Sequence, residues 1–241
     1  MKTSLIVTLF IAAAFLAVSS LAQTTTTSPA PGSKMSNMGQ VAVPANPAGG
    51  TAATAPTGQP SAEDMQKMMQ QMTELSKLNE NHKMLADTAG TWNYSVKMWM
   101  DGDASAKPQE SKGTATRKMI MNGRFLVGDY TGMMKMPGSD GKMKDVTFKG
   151  MGLEAYDNVK KKFVATWMDN MGTGIMTMEG DYDPATKAIT STGEEEMMPG
   201  MKTQIRSVTT FPDKNHMTLE WYENHGGGEK KTMEINYTKA K

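Results

Sequence analysis

From Trp92 onward, apolar and polar residues alternate with a period of two, and this limits the fold more than any other feature of the chain. Trp92, Tyr94, Val96, Met98 and Met100 fall on one side of an extended segment, with Asn93, Ser95, Lys97, Trp99 and Asp101 on the other. Runs of the same kind read as strands over 113–121, 124–132, 146–156, 162–169, 175–182, 188–195, 202–211, 216–224 and 230–238. Turn signals separate them, among them Asn122-Gly123, Asp157-Asn158, Asp183-Pro184 and Gly226-Gly227-Gly228. No gap after Gly90 is long enough for a helix, and a parallel neighbour needs a crossover of roughly a dozen residues. About ten antiparallel strands follow, and an open meander would leave two long unpaired edges. The expected fold is all-β: an up-and-down, calycin- or lipocalin-like barrel over 90–241, with an N-terminal amphipathic helix over one mouth.

The segment before the barrel divides into three. Met1-Lys2, the apolar run Leu5–Val18 and Ser20-Leu21-Ala22 have the anatomy of a secretory signal peptide over 1–22, with cleavage after Ala22. Removal of Lys2 takes the formal charge from +1 to neutral and leaves no expected membrane span. Export implies a secreted or periplasmic location. Residues 23–60 are mostly Thr, Ala, Pro, Gly, Ser and Asn with Lys34 as the one charge, the composition of a disordered linker. Ser61 and Asp64 form a helix-start signal, and Met65, Met68, Met69, Met72 and Leu75 follow as one stripe, so 61–89 reads as a helical cap that Gly90 ends. A stripe at this spacing is expected to pack on its own domain.

Two hairpins can be set in register by counting outward from their loops. Gly226–Gly228 as a three-residue loop pairs Trp221 with Met233, Leu219 with Ile235 and Met217 with Tyr237 on one face, and Glu220 with Glu234 on the other. A loop over 170–173 pairs Trp167 with Met176 and Ala165 with Met178.

Several of these segments resemble a known family. They are Asn122-Gly123-Arg124-Phe125-Leu126, Ala155-Tyr156-Asp157-Asn158, Lys161-Lys162-Phe163-Val164, Thr166 to Gly174 around Trp167, and Met233 to Thr238. Together they are similar to a bacterial family known as domain of unknown function 1579, over roughly residues 82–241. Gly90-Thr91-Trp92 also resembles the glycine-x-tryptophan entry of lipocalin-type barrels. The resemblance implies a barrel related in shape to lipocalins, fatty-acid-binding proteins and nitrobindin-like folds, and it brings no activity with it.

Chemistry is sparse. The chain has no Cys and three His, which excludes thiol nucleophiles, disulfides and thiolate metal sites and leaves little for an imidazole centre. Lys+Arg number 26 against 25 Asp+Glu, so no basic field is available to hold nucleic acid. No phosphate-cradling glycine loop or nucleophile elbow is present, so no enzyme is expected, and no cofactor. The favoured function is binding of a small, mostly apolar ligand inside the barrel. Its expected lining is Trp92, Tyr94, Met98, Trp167, Met176, Leu219, Trp221, Met233 and Ile235, with Arg206 as polar anchor. Arg206, Glu220 and Glu234 form an alternative polar site, because directly opposed carboxylates need a cation between them or a shared proton. Each of the three Arg residues (117, 124, 206) is expected to hold a carboxylate in its planar fork. Methionine, at 26 residues, supports a second reading as a Cu(I)-binding envelope protein through Met133, Met134, Met136, Met197, Met198 and Met201, expected in loops. A third is a structural or interaction module with a filled core. Which face of the last hairpin points inward, and the oligomeric state, stay open.

Overall fold

The computed structural model describes residues 60–241 except Asp101; the expected signal peptide and all of the linker but Pro60 lie outside the described residues. Two helices come first, α1 (Ala62–Leu75) and α2 (Glu80–Asp87). Ten strands follow: β1 (Gly90–Met98), β2 (Gln109–Ile120), β3 (Phe125–Pro137), β4 (Met143–Asp157), β5 (Lys162–Asp169), β6 (Met176–Asp183), β7 (Ala188–Met198), β8 (Met201–Asp213), β9 (His216–Asn224) and β10 (Glu229–Lys239). Each pairs antiparallel with its neighbour in sequence, and β1 pairs with β10 from Trp92–Lys239 to Met98–Met233. The sheet is therefore a closed ten-stranded up-and-down barrel, as the alternation requires.

Ser61 caps α1 as expected, with its hydroxyl accepting from Asp64 N at 3.1 Å. The expectation that the Met stripe packs on its own domain fails: α1 buries none of its residues, and Met65, Met68, Met69 and Met72 are exposed. It is α2 that packs on the barrel, against β3 and β4. Asn79 and His82 cap its start reciprocally, Asn79 Oδ1 accepting from Asn81 N at 3.0 Å and His82 Nδ1 accepting from Asn79 N at 3.2 Å. Thr88, not Gly90, terminates the helix, and Gly90 opens β1 at φ 130°.

Burial settles the inner face. Trp92, Tyr94, Ala115, Met217 and Tyr237 form one buried cluster, and Leu85 of α2, Leu126, Phe163 and Ile189 form another. The second cluster plugs the end where α2 lies, the end at which β1 begins. Trp92 is 1 % exposed and donates its indole N–H to Thr88 O at 2.9 Å, tying the barrel wall to the turn after α2.

The wall is shaped by glycine. Gly113, Gly128, Gly132 and Gly150 occupy inward positions, and a Cβ there would collide with the rings of Tyr94, Tyr130, Tyr94 and Trp167 respectively. With no side chains beneath them, these rings lie against the strands. At Gly180 on β6 the obstacle is Ser191 and the Thr190 carbonyl of β7, backbone that cannot give way. Gly180→Ala is expected to lower unfolding stability by about 2 kcal/mol in denaturant titration. Gly227→Ala, in the last loop with nothing within 4 Å of its Cβ position, should stay within about 0.5 kcal/mol of the parent.

Candidate functional site

The lumen has two unlike halves. Towards α2 its inward side chains are sealed: Trp92, Leu126, Phe163, Met217 and Tyr237 are all buried. Towards the other mouth, Val96, Met98, Phe148, Trp167, Met176, Leu219, Trp221, Met233 and Ile235 share the inward parity but are only partly buried, while Thr203 and Ile205 of β8 are buried there too. This open half carries mostly thioethers and aromatic rings on its inner face. Trp167 is held by Tyr130, centroids 5.1 Å apart edge-on, and by Phe148, stacked at 6.2 Å.

The anticipated lining divides accordingly. Met98, Trp167, Met176, Leu219, Trp221, Met233 and Ile235 lie together on the inner face of the open half. Trp92 and Tyr94 both sit in the first buried cluster and not in the open half. Register along the last hairpin agrees with the counting at Trp221–Met233, Leu219–Ile235 and Met217–Tyr237, so its apolar ladder is the inner face.

Arg206 requires a correction. It pairs with Tyr222 across β8–β9, between the buried Ile205 and Ser207, and so stands on the outer wall. There it grips Glu229 with both ends of its fork (Nε–Oε1 2.8 Å, Nη2–Oε2 2.6 Å) and stacks 3.9 Å over the Tyr222 ring. It stands opposite Tyr222 and not Glu220 because the β8–β9 turn closes at Asp213–His216. Glu220 and Glu234 do oppose one another, also outside, and the cation between them is Lys231, at 2.5 and 2.6 Å. That contact, with Asn236, holds the Glu234 carboxyl below its ordinary range. Arg124 holds no carboxylate; it donates to Ser76 O at 3.2 Å.

The methionine groups also sit differently from expectation. Met133, Met134 and Met136 lie within β3, not in a loop, and alternation sends exposed Met133 outward and the other two inward. Met198 and Met201 pair at the β7–β8 turn, Met201 is exposed, and the Met197 side chain lies outside the described residues. Among the described residues no group of three or more His, Asp or Glu is placed to hold a metal ion.

Two polar features of the lumen were not anticipated. Near the open mouth, Asp169, Glu195 and Glu223 face inward from β5, β7 and β9. Trp167 Nε1 donates to Asp169 at 2.9 Å and Trp221 Nε1 to Glu223 at 3.2 Å. His225 links Glu223 (3.0 Å) to Thr203 (3.0 Å) at the rim. Burial pushes the Glu195 carboxyl up, and the charges of Glu223 and Asp169 add to the effect. Deeper, Arg117 is buried and donates through Nη2 to both oxygens of Glu154 at 2.7 and 2.9 Å. The sequence carried signals for both: Trp167-Met168-Asp169 and Trp221-Tyr222-Glu223 put an acid two residues beyond an inward Trp, and Arg117 shares parity with Ala115. A solvent-open depression of about 300 Å³ on the outer wall of β2–β4, lined by Thr114, Thr116, Asp129, Tyr130, Thr131 and Lys149, offers a weaker site.

Because the Glu195 pKa is raised on folding, its ionisation opposes folding: the stability lost as pH rises through the raised value returns as pH falls. Glu195→Gln is expected to raise the melting temperature by about 1–3 °C at pH 7, a gain kept small by partial exposure. Differential scanning calorimetry at descending pH should show the gain shrinking as the parent's carboxyl protonates.

No curated protein matches the chain. Among solved structures, a de novo designed fluorescence-activating β-barrel is similar at 9 % identity, covering 64 % of this chain and 96 % of its own, with a TM-score of 0.35. That likeness is too distant to carry an argument about function. Residues 77–239, which take in α2 and all but a few residues of sequence around the closed barrel, match the family described as "Protein of unknown function (DUF1579)", and the chain belongs to that family.

Proposed function

We propose that this is an exported, non-catalytic binding protein that holds a small, mostly apolar ligand in the open half of its barrel. One observation carries the reading: the inward aromatic and thioether side chains farthest from α2, Met98, Trp167, Met176, Trp221 and Met233, are only partly buried, whereas a filled core would seal them. Ligand pockets are typically apolar, largely preformed and supplied with few polar groups. The open half fits that description, with Trp167 and Trp221 as rigid walls and Met98, Met176 and Met233 as pliable ones. Thioether side chains adapt to irregular shapes, which suits a ligand defined by apolar bulk more than by outline. Export is supported by the signal-peptide anatomy of 1–22. Among the described residues no helix is long and apolar enough to cross a membrane.

The reading is tested by titrating the full chain with an apolar fluorogenic probe and by native mass spectrometry after organic extraction. Saturable binding at one site is expected, with a mass decrease on extraction if cargo is carried through purification. Trp167→Ala should weaken probe binding about tenfold, corresponding to ~1.4 kcal/mol. Substitution of Met65, outside the barrel on α1, should leave it unchanged. Absence of saturable binding would favour the filled-core module.

A further inference from the structure

The open half ends on a polar floor that the apolar lining does not explain. Arg117 starts on β2 and reaches Glu154 on β4 and Met217 on β9, so its guanidinium lies across the lumen. The residue is 6 % exposed. Nη2 serves Glu154, while Nη1 finds only the Met217 thioether, at 3.5 Å. Nε has no partner; among the described residues it and Thr232 Oγ1 are the buried side-chain polar atoms left without one. A sealed, unpaired donor is destabilising, and more so on a charged group.

The surroundings are rich in oxygen. Tyr94 packs beside Tyr130 and Tyr237, ring centroids 6.3 and 5.9 Å away. Both Tyr130 and Tyr237 lie near the Arg117 guanidinium. Burial raises all three phenols above their ordinary range, so each keeps its proton and remains a donor. Glu154 points inward beside Leu126, with 30 % of its side chain still exposed. The floor therefore presents an unpaired N–H and phenolic hydroxyls beside a carboxylate already engaged.

We propose that the ligand carries an uncharged oxygen-bearing head, a carbonyl or hydroxyl, that accepts a hydrogen bond from Arg117 Nε and sits among Tyr94, Tyr130 and Tyr237. This rests on the binding-protein reading and names the ligand class of the same lumen. A carboxylate head fits worse. Glu154 already neutralises the guanidinium, and an anion must pass Asp169, Glu195 and Glu223 to arrive. An ammonium head has no acceptor to give to Nε and would be held at those mouth acids instead. Nε is sealed by its neighbours, so the head reaches it with a side-chain shift, and Tyr130, less buried than Tyr94 or Tyr237, is the ring that yields.

The test is an affinity series on one alkyl chain bearing a methyl ketone, a primary alcohol, a carboxylate, an ammonium or no head, read by tryptophan emission of the full chain. Ketone and alcohol should bind about tenfold tighter than the bare alkane, and the carboxylate weaker than the ketone. Replacing the ion pair together, Arg117→Met with Glu154→Met, should abolish the ketone's advantage while leaving the alkane's affinity intact. If that variant does not fold, Arg117→Lys, which keeps a cation for Glu154 but has no Nε fork, should show the same loss. Equal binding of ketone and alkane would mean that Nε is served by an internal water only and overturns the proposal, as does tightest binding by the carboxylate or the ammonium. Failure of every member to bind, alkane included, overturns the lumen reading itself and this proposal with it.

Discussion

The pairing of β1 with β10 is the constraint on which the rest depends. Seven residue pairs, from Trp92–Lys239 to Met98–Met233, join the first strand to the last. Without that seam both strands would be edges with unpaired backbone groups, and the alternation along each strand would have no inside to refer to. With no cysteine in the chain, closure rests on backbone hydrogen bonds and on what the inner face buries. Trp92 contributes to both, lying in the seam, filling the floor and holding the Thr88 carbonyl. The plug by Leu85 of α2 then makes the two mouths unequal, with the buried second cluster at one of them.

How the open half stays open follows from where glycine stands. Large rings on the inner face would meet in the middle if each stood on a Cβ-bearing wall opposite another. Placing Gly113, Gly128, Gly132 and Gly150 under Tyr94, Tyr130 and Trp167 lets those rings recline on the neighbouring strands. The lumen keeps aromatic surface while losing little of its width. Gly128 and Gly132 on β3, and Gly150 on β4, thus contribute to the site through the volume that they leave empty.

The closed barrel was legible because it follows from period and turn spacing alone, and parity makes that inference tolerant of small errors. The last hairpin illustrates this. The loop end pairs Asn224 with Glu229, one residue off the simple count, and a bulge between Lys231 and Met233 restores the register before Trp221. On β8–β9 the turn closes at Asp213–His216, which takes Arg206 away from Glu220, and the shift between Thr210 and Asp213 brings it opposite Tyr222 on the outer face. Strand ends were less legible: β3 runs to Pro137, turning a supposed methionine loop into wall. The polar floor escaped notice for a different reason. Arg117 is recognisable as inward by parity with Ala115, yet a charged residue on an inner face contradicts the usual expectation of burial, so only its place across the lumen gives it meaning.

The two sides of the wall treat carboxylates in opposite ways, and this bears on what can enter. Outside, Glu220 and Glu234 are bridged by Lys231 and Glu229 is clasped by Arg206, so charge is cancelled where it is formed. Inside, near the mouth, Asp169 and Glu223 are held by the indole N–H groups of Trp167 and Trp221. A neutral donor orients a carboxylate without removing its charge. Such a mouth keeps a negative field over an apolar lining, and in a partly water-excluded space that field is screened less than at the surface. On the binding-protein reading proposed above, such a lumen would sort by charge at its entrance and by hydrogen bonding at its floor, with apolar bulk deciding affinity between them.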